Sequence, residues 1–238
     1  MFSKILCPSI IIDGDMIYYH RLDELKSLLK QIMIGQGILR KYCDRDLIMV
    51  YRFKGLNDFL VERILKSSRI RIFNTSLEHI LALIGSSKPL FLDPYARRDL
   101  TPEELLYYDS VIIGGIVDKP PRKRATTTLI ELDLPWADSR RISLRGSIVG
   151  VPSEINSVIE IILRTLMYND IERAIRETQS KRDVLARVLV ELNKHRKSIR
   201  CRDDIARIYE ELQTFLKIDP DLYRRALYRA RIPRDLWI

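Results

Sequence analysis

The sequence predicts an α/β fold: a mostly parallel sheet with helices on both faces. In the first two thirds of the chain, short apolar runs alternate with amphipathic stretches. The runs are rich in Ile and Val and lack a strict alternation of apolar and polar residues, which is typical of strands buried on both faces. Strands and helices that alternate at this spacing indicate parallel strands joined by crossover helices.

Six runs are predicted to form the strands. They are SIIID (9–13), LIMVY (47–51), IRIF (70–73), PLFL (89–92), SVIIGG (110–115) and RISLR (141–145). Helices are predicted between them at 22–42, 57–66, 76–84 and 102–107. Thr75 or Ser76 is suited to cap the third of these helices, and Thr101 followed by Pro102 is typical of the start of the fourth.

The last part of the chain is predicted to be helical only. Residues 151–168 form a long helical pattern that is apolar nearly all round, so this helix should be deeply packed, with Ser153 as its cap. Three more helices are predicted near 180–195, 202–216 and 220–230. We therefore expect two domains, residues 1–178 and a small all-helical domain of residues 179–238.

The charge of the chain is concentrated in this second domain. The 238 residues carry a net charge of +9, and residues 179–238 hold 15 Lys/Arg against 9 Asp/Glu. A basic surplus of this kind favours a polyanionic partner. Many Arg, Glu and Ile residues beside few Gln and Asn are typical of a thermophile.

Several classes of protein are disfavoured by the sequence. Charges interrupt every apolar run, so no membrane span is predicted, and the first residues lack the features of a signal peptide, so we expect a cytoplasmic protein. The cysteines show no CxxC pair and the histidines show no ligand spacing, which argues against a disulfide framework, a zinc site or any other metal site. These residues are Cys7, Cys43, Cys201, His20, His79 and His195.

The segment SVIIGGIVDKPPRKR (110–124) is the strongest candidate for a site. It joins a predicted strand to Gly114 and Gly115, at the end of the sheet where α/β proteins bind ligands. The glycines leave room for an adenosine or methionine group against the backbone, and a turn that needs a positive φ is the equal alternative. The segment is not a GxGxxG motif, so a dinucleotide site is not supported.

Polar residues follow the glycines. Asp118 is close enough in sequence to accept a proton from a ligand bound there, or to stabilise positive charge on it; a helix cap or a solvated loop acid is the simpler alternative. Lys119, Arg122, Lys123 and Arg124 are suited to bind phosphates, and a solvated basic loop is the common alternative.

Three blocks of the sequence resemble the SPOUT superfamily, and within it the tRNA methyltransferases that act on N1 of the purine at position 9. The blocks are IIIDGDMI…LDELKSLLKQI, PLFLDPYARRDL…DSVIIGGIVDK and RRISLRGSIVGVPSEINSVIEIIL, and the resemblance covers about residues 9–178. The GGIVD motif is the most specific of them. The sequence departs from the family pattern at Ser143, where the family has a proline, and this leaves the register of that loop open.

The resemblance implies a fold, a cofactor and site residues. It implies a SPOUT domain with a C-terminal trefoil knot that binds S-adenosylmethionine, with Asp118 as the catalytic residue and no metal, in an archaeal-type enzyme that acts as a monomer. The cofactor-binding residues implied by position are Leu92, Gly114, Gly115, Val117, Leu144, Val151, Pro152 and Asn156.

The same resemblance implies tRNA as the partner. N1 lies on the Watson–Crick edge of the purine, so the base must be splayed out, and a folded tRNA is recognised mainly by its shape and phosphates. The expected RNA-binding residues are Gln31, Arg97, Arg98, Lys119, Arg122, Lys123, Arg124, Lys194, Arg196, Lys197, Arg200, Arg224 and Arg225. Tyrosines among the arginines of the second domain are expected either to stack on bases or to pack inside the protein.

The target base and two other functions stay open at this point. Adenine is favoured over guanine as the base, because the composition suggests an archaeal enzyme and archaeal members of the family include adenine-modifying ones. One alternative is a SPOUT methyltransferase for another position of tRNA or for rRNA. The other is a non-catalytic RNA-binding protein with a degenerate pocket.

Overall fold

The computed structural model of the chain describes residues 7–14, 20–43, 45–51, 69–115 and 134–237. In these residues one sheet is formed by β1 (Ser9–Asp13), β2 (Ile48–Tyr51), β3 (Arg71–Asn74), β4 (Pro89–Leu92), β5 (Ser110–Gly114) and β6 (Asp138–Arg140). The strands lie in the order β3-β2-β1-β5-β4-β6, and each neighbouring pair is parallel. The predicted parallel sheet is confirmed.

Eight α-helices and a short 3₁₀ helix accompany the sheet in the described part of the chain. They are α1 (Leu22–Cys43), α2 (Leu77–Leu83), α3 (Pro102–Leu105), α4 (Ile155–Tyr168), α5 (Ile171–Thr178), α6 (Lys181–His195), α7 (Arg202–Gln213), α8 (Pro220–Arg229) and the 3₁₀ helix Arg234–Leu236. The helix predicted over 57–66 lies outside the described residues. The short helix α5 was not predicted.

Alternate residues of the central strands face two separate cores. Ile10 and Ile12 of β1 are buried with residues of α1 and α4, whereas Ile11 is buried with residues of α2. Burial on both faces explains why the strand sequences are continuously apolar.

The predicted caps of α2 and α3 are confirmed. The Ser76 hydroxyl accepts a hydrogen bond from the backbone N–H of His79. Thr101 and Glu104 form a capping box at the start of α3, with Pro102 in its first turn. These contacts satisfy backbone donors that a helix start leaves free.

The expected position of the sixth strand was wrong. The sixth strand is Asp138–Arg140 rather than 141–145, and beyond it Arg141 forms only an isolated bridge with Asp99. β6 is an edge strand that pairs with β4 alone. A short edge strand of polar residues lacks the apolar pattern that identifies the central strands.

Ser153 is not the cap of α4. The N-cap is Glu154, and its side chain makes no capping hydrogen bond. The first N–H of the helix, that of Ile155, instead donates to the side-chain oxygen of Gln31 at 3.0 Å. A residue of α1 thus supplies the acceptor, which local sequence patterns cannot reveal.

The expectation that the cysteines form no disulfide framework needs a correction, because Cys7 and Cys43 are bonded to each other. Both residues are buried, and their Cα atoms are 6.0 Å apart, a normal disulfide span. The bond ties the segment before β1 to the last residue of α1, across 36 residues of sequence. Intracellular disulfides occur in proteins of hyperthermophiles, so the bond does not conflict with a thermophile-like composition.

The described residues form two compact units that differ from the predicted domains. The first lies within Met1–Ile142 and Ser153–Ile171, and the second within Ser143–Pro152 and Glu172–Ile238. The segment 143–152, expected in the first domain, belongs to the second compact unit, and the domain boundary at 178/179 stays a prediction.

In the described ranges, the structure contains no helix that is both long enough and apolar enough to cross a membrane. The same ranges contain no cluster of three or more His, Cys, Asp or Glu side chains arranged to hold a metal ion.

Candidate active site

The carboxyl ends of four strands lie side by side at one edge of the sheet. Asp13 at the end of β1 is paired with Gly114 of β5, and Leu92 of β4 is paired with both Ile113 and Arg140. The chain runs from β1 outward in one direction to β3 and then crosses to β4 on the other side of β5. Ligands of open α/β sheets bind beyond the strand ends at such a reversal.

The backbones of β1 and β5 converge closely at this edge. The N–H of Gly115 donates to the carbonyl of Asp13 at 2.7 Å, and a Cβ on Gly115 would lie 2.5 Å from that same oxygen. Gly115 does not have a positive φ. Its missing side chain is therefore required by the approach of two strands, and the alternative of a turn with positive φ is wrong for this residue.

Two buried carboxylates at the same edge were missed by sequence reasoning. Asp13 is 3% exposed and Asp93, directly after β4, is 4% exposed. Asp93 accepts a hydrogen bond from the N–H of Tyr95 at 2.9 Å and shapes the turn beyond Leu92. Each acid directly follows or ends an apolar run, and that position is the signal in the sequence.

An ion-pair network contacts β6, the outermost strand beside β4. The guanidinium of Arg140 donates to Glu104 at 2.9 Å and lies 3.7 Å from Asp138. The hydrogen bond from Arg140 lowers the pKa of Glu104 below its usual value. Tyr108 donates to Asp138, and burial raises the pKa of Tyr108 to about 12.

The two arginines predicted to bind RNA near this network are on the surface. Arg97 is exposed, and Arg98 is exposed while its guanidinium contacts Glu104 at 3.0 Å. Gln31 is half-buried, and its oxygen is used by the start of α4. Asn156, assigned to the cofactor, is the second residue of that helix.

The segment 143–152, here called the 143–152 loop, contains three other residues assigned to the cofactor: Leu144, Val151 and Pro152. Leu144 is fully buried, Pro152 is buried and Val151 is half-buried. Leu144 and Ser147 form an antiparallel bridge whose two central residues, Arg145 and Gly146, have positive φ, as in a type I′ turn.

Side chains of the second compact unit hold this loop. Nη1 of Arg187 in α6 donates to the carbonyl of Leu144 at 2.8 Å and to that of Val149 at 3.3 Å. Nε2 of Gln179 donates to the carbonyl of Gly150 at 2.7 Å. Sequence reasoning missed Arg187, although it lies on the apolar stripe of α6 beside the buried Val184 and Val188.

The basic residues predicted in the second domain are exposed. They are Lys194, Arg196, Lys197, Arg200, Arg224 and Arg225. Lys194 contacts Glu191 at 3.0 Å, and Arg224 lies 3.6 Å from Asp221. Exposed ion pairs are weak, so these cations can exchange an intramolecular partner for a phosphate.

The tyrosines among the arginines divide between the two expected roles. Tyr223 is buried, donates to the carbonyl of Ile205 at 3.0 Å, and has its pKa raised by burial. Tyr228 is 65% exposed and lines an open cleft of about 520 Å³. The other lining residues are Arg229, Arg231, Ile232, Pro233, Arg234 and Trp237. Aromatic faces among arginines are suited to stacking with bases.

Six residues assigned to the site lie outside the described residues. They are Val117, Asp118, Lys119, Arg122, Lys123 and Arg124. Their assigned roles therefore stay predictions from the sequence.

Comparisons with known proteins point to methyltransferases. Residues 40–145 match the family model described as protein arginine N-methyltransferase SFM1-like. The chain is 32% identical over 185 residues to a tRNA (adenine(9)-N1)-methyltransferase of Sulfolobus acidocaldarius, covering 76% of this chain and 58% of that protein. It is 27% identical over 244 residues to a tRNA (guanine(9)-/adenine(9)-N1)-methyltransferase of Thermococcus kodakarensis, covering 94% of this chain and 65% of that protein.

A solved structure shares the fold. The crystal structure of Sulfolobus acidocaldarius Trm10 in complex with S-adenosylhomocysteine is similar with a TM-score of 0.65 and 24% identity, covering 95% of this chain and 68% of that chain. The resemblance to purine-9 tRNA methyltransferases is thus confirmed. The chain spans less than two thirds of the length of the two curated relatives.

Proposed function

We propose that the chain transfers a methyl group from S-adenosylmethionine to N1 of the purine at position 9 of tRNA. The observation that carries the proposal is the GGIVD motif, whose glycines lie at the carboxyl edge of the sheet, in a chain 32% identical to an enzyme of this activity. The fold alone hosts many activities, so the residues of this edge carry the proposed function.

The residues of the edge fit S-adenosylmethionine. Leu92 is apolar, Gly114 is half-buried without a side chain, and in the described part of the edge Arg140 is paired with Glu104. Such an edge offers backbone groups and apolar contacts, which suit an adenosine and a methionine. When bound, the cofactor supplies a methyl group on a positively charged sulfur. The other residues assigned to the cofactor are Leu144, Val151, Pro152, Asn156 and Val117.

We assign Asp118 one of two roles: it accepts the proton from N1 of guanine, or it stabilises the positive charge that forms when N1 of adenine is methylated. N1 of guanine carries a proton, so methylation forms the N–C bond while that proton passes to a base, and the Asp118 carboxylate is the acceptor. N1 of adenine carries a lone pair, so methylation leaves a cation that the same carboxylate stabilises. We favour adenine, which the Sulfolobus relative has as its named base, while the Thermococcus relative is named for both.

The exposed cations of the second unit and the cleft beside Tyr228 are assigned to the tRNA. Phosphate contacts from arginine and lysine fix the position of an RNA without reading its sequence, and stacking holds an unpaired base. Arg97, Arg98, Gln31 and the basic cluster after Asp118 belong to the same proposed surface.

The proposal extends to the fold and the state of the protein. We infer that the chain carries the trefoil knot of SPOUT domains, an arrangement supported by its likeness to the Sulfolobus structure over nearly its whole length. We also propose that residues 179–238 form the tRNA-binding domain, that the protein acts as a monomer and that it works in the cytoplasm.

Mass spectrometry of nucleosides tests the function. The full chain is incubated with S-adenosylmethionine carrying a deuterated methyl group and with unmodified tRNA transcripts that differ only at nucleotide 9, which is adenine, guanine or uracil. We expect 1-methyladenosine from the first transcript, less or no 1-methylguanosine from the second, and no product from the third. Label that is equal in all three transcripts would place the target elsewhere in the RNA and contradict the proposal.

A protein substrate is the second candidate function, favoured by the SFM1-like match over residues 40–145. The same labelled cofactor, incubated with an archaeal protein extract freed of RNA, would then give methylarginine after acid hydrolysis. Methylarginine without any labelled nucleoside would replace the proposal, and RNA binding without any transfer would support a non-catalytic RNA-binding protein.

A further inference from the structure

We infer that the second compact unit holds the 143–152 loop in its working conformation, and that Arg187 is the positioning residue. The inference rests on the proposed function for one point only, the assignment of Leu144, Val151 and Pro152 to the cofactor. It gives the helices after residue 172 a second role besides binding RNA.

The loop makes few contacts within itself. Its internal backbone hydrogen bonds are the pair between Leu144 and Ser147 and the one from the N–H of Val151 to Ile148. Three of its residues, Arg145, Gly146 and Gly150, have positive φ. A short segment of this kind needs contacts from outside to stay in one conformation.

Arg187 supplies such contacts from the interior of the unit. The residue is 3% exposed, and one nitrogen of its guanidinium donates to the carbonyls of Leu144 and Val149, on either side of the turn. A buried guanidinium needs a counter-charge, and Nε of Arg187 lies 2.7 Å from Oε1 of Glu191 in an ion pair that lacks the angle of a hydrogen bond. Because the side chain is buried, it is unavailable to RNA.

Gly150 lets the loop approach α6. A Cβ on Gly150 would lie 2.7 Å from Cβ of Arg187 and 3.3 Å from the carbonyl oxygen of Asp183. The carbonyl of Gly150 accepts the hydrogen bond from Gln179. A glycine is required at position 150 both because its φ is positive and because the loop approaches α6 closely there. Val151 and Pro152 follow it directly in the chain.

The tip of the loop is fixed at a third point. The guanidinium of Arg145 lies over the ring of Phe215 at 4.2 Å and donates to the hydroxyl of Thr214 at 3.0 Å. Arg187 approaches the same buried ring at 5.4 Å. Four of the ten loop residues are thus held by side chains of the second unit, and Arg187 contacts two of them.

The test compares Arg187→Met with Arg182→Met in the full chain. Methionine keeps an apolar stem but removes the donors, and Glu191 keeps a partner because Lys194 lies 3.0 Å away. Arg182 is an exposed arginine of the same helix and serves as the matched control. Hydrogen exchange of a peptide covering 143–152 is measured without any ligand, and binding of S-adenosylmethionine is measured by calorimetry.

We expect Arg187→Met to speed exchange in the loop and to weaken S-adenosylmethionine binding by about tenfold, the loss expected for hydrogen bonds from a charged donor. In transfer assays KM for S-adenosylmethionine should rise, while kcat and KM for tRNA stay within about twofold of the wild type, since chemistry and RNA contacts are elsewhere. Arg187→Lys restores the charge but not the planar donor group, so we expect an intermediate effect.

Unchanged loop exchange and unchanged cofactor affinity in Arg187→Met would overturn the inference. If Arg187→Met does not fold, Arg145→Asn replaces it, because Arg145 is exposed and asparagine tolerates its positive φ. Arg145→Asn should show the same two changes to a smaller degree, and their absence would likewise overturn the inference. A wild-type protein that takes up no S-adenosylmethionine would defeat the proposed function instead, while the exchange measurement would still decide whether Arg187 holds the loop.

Discussion

The two regions assigned to the cofactor are held in different ways. At the carboxyl edge of the sheet, Gly114 and Gly115 are fixed by backbone hydrogen bonds to β1. In the 143–152 loop, Leu144 and Gly150 are fixed by the side chains of Arg187 and Gln179. Backbone hydrogen bonds between strands tolerate most side-chain substitutions, but not a Cβ that would clash with the neighbouring strand. The loop instead depends on hydrogen-bond donors of two particular side chains.

The largest effect is expected from adding one carbon atom to the edge. Gly115→Ala places a Cβ 2.5 Å from the carbonyl oxygen of Asp13, a backbone atom that cannot move away cheaply. We expect the free energy of unfolding to fall by about 3 kcal/mol or more, the upper end for overpacking. Chemical denaturation measures this loss.

Gly37→Ala is the matched control for that prediction. Gly37 lies in α1, and a Cβ there has no described atom within 4 Å. The same substitution in an open helical position should stabilise the protein by roughly 0.5–1 kcal/mol. Equal stability of the two variants would mean that the strands do not need to converge at Gly115.

The contrast also explains what the sequence could predict. The central strands 9–13 and 110–114 were located because burial on both faces makes them continuously apolar. β6 was misplaced because an edge strand with one partner carries no such pattern. The hydrogen bond that caps α4 with Gln31 and the disulfide between Cys7 and Cys43 each join residues that are far apart in sequence. Local sequence patterns therefore predict neither of them.

The site was predictable to a similar extent. The GGIVD motif located the edge, and the resemblance located the loop, but the partners of the loop were not predicted. Arg187 is one of 41 Lys and Arg residues, and only its place between Val184 and Val188 on the buried stripe of α6 distinguishes it. Its two carbonyl partners are about forty residues away in the chain.

A second prediction separates chemistry from cofactor binding. Asp118→Asn keeps the size of the side chain and removes its charge, so kcat should fall by about 10²-fold, the lower range for a general base. Calorimetry should give unchanged affinities for S-adenosylmethionine and tRNA. On a guanine substrate the wild-type rate should rise with pH as the carboxylate becomes free to accept the proton, and the variant should lose this rise. A fully active variant would show that positioning alone drives the transfer.

A third prediction concerns RNA alone. Tyr228→Ala removes the exposed ring from the cleft of the second unit and should weaken tRNA binding by roughly tenfold, as expected for one lost base stack. Tyr107→Ala is the control, because Tyr107 is 59% exposed but belongs to the first unit. Filter binding at fixed salt compares the two variants. Equal affinities, or a loss of S-adenosylmethionine binding in Tyr228→Ala, would contradict the assignment of the cleft.

The smallest effect on stability is expected from Tyr108, whose hydroxyl donates to Asp138 of β6. Burial raises the pKa of Tyr108 to about 12 from its usual 10. As the pH rises, Tyr108 therefore loses its hydroxyl proton in the unfolded chain before it does so in the folded protein. The stability that protonated Tyr108 contributes is fully present below pH 10 and should decline as the pH rises toward 12. Tyr108→Phe cannot titrate and should show a shallower decline, measured by denaturation at several pH values. Parallel curves for the two proteins would contradict the effect of burial.

Titration of the intact wild-type protein with S-adenosylmethionine, in the absence of RNA, shows whether the chain binds this cofactor. We expect one molecule bound per chain, displaced by S-adenosylhomocysteine and not by NAD, because the segment after β5 is not a GxGxxG motif. Arg187→Met should weaken this binding, and Arg182→Met should leave it unchanged. A wild-type protein that binds tRNA but takes up no S-adenosylmethionine would contradict the account and leave a non-catalytic RNA-binding protein.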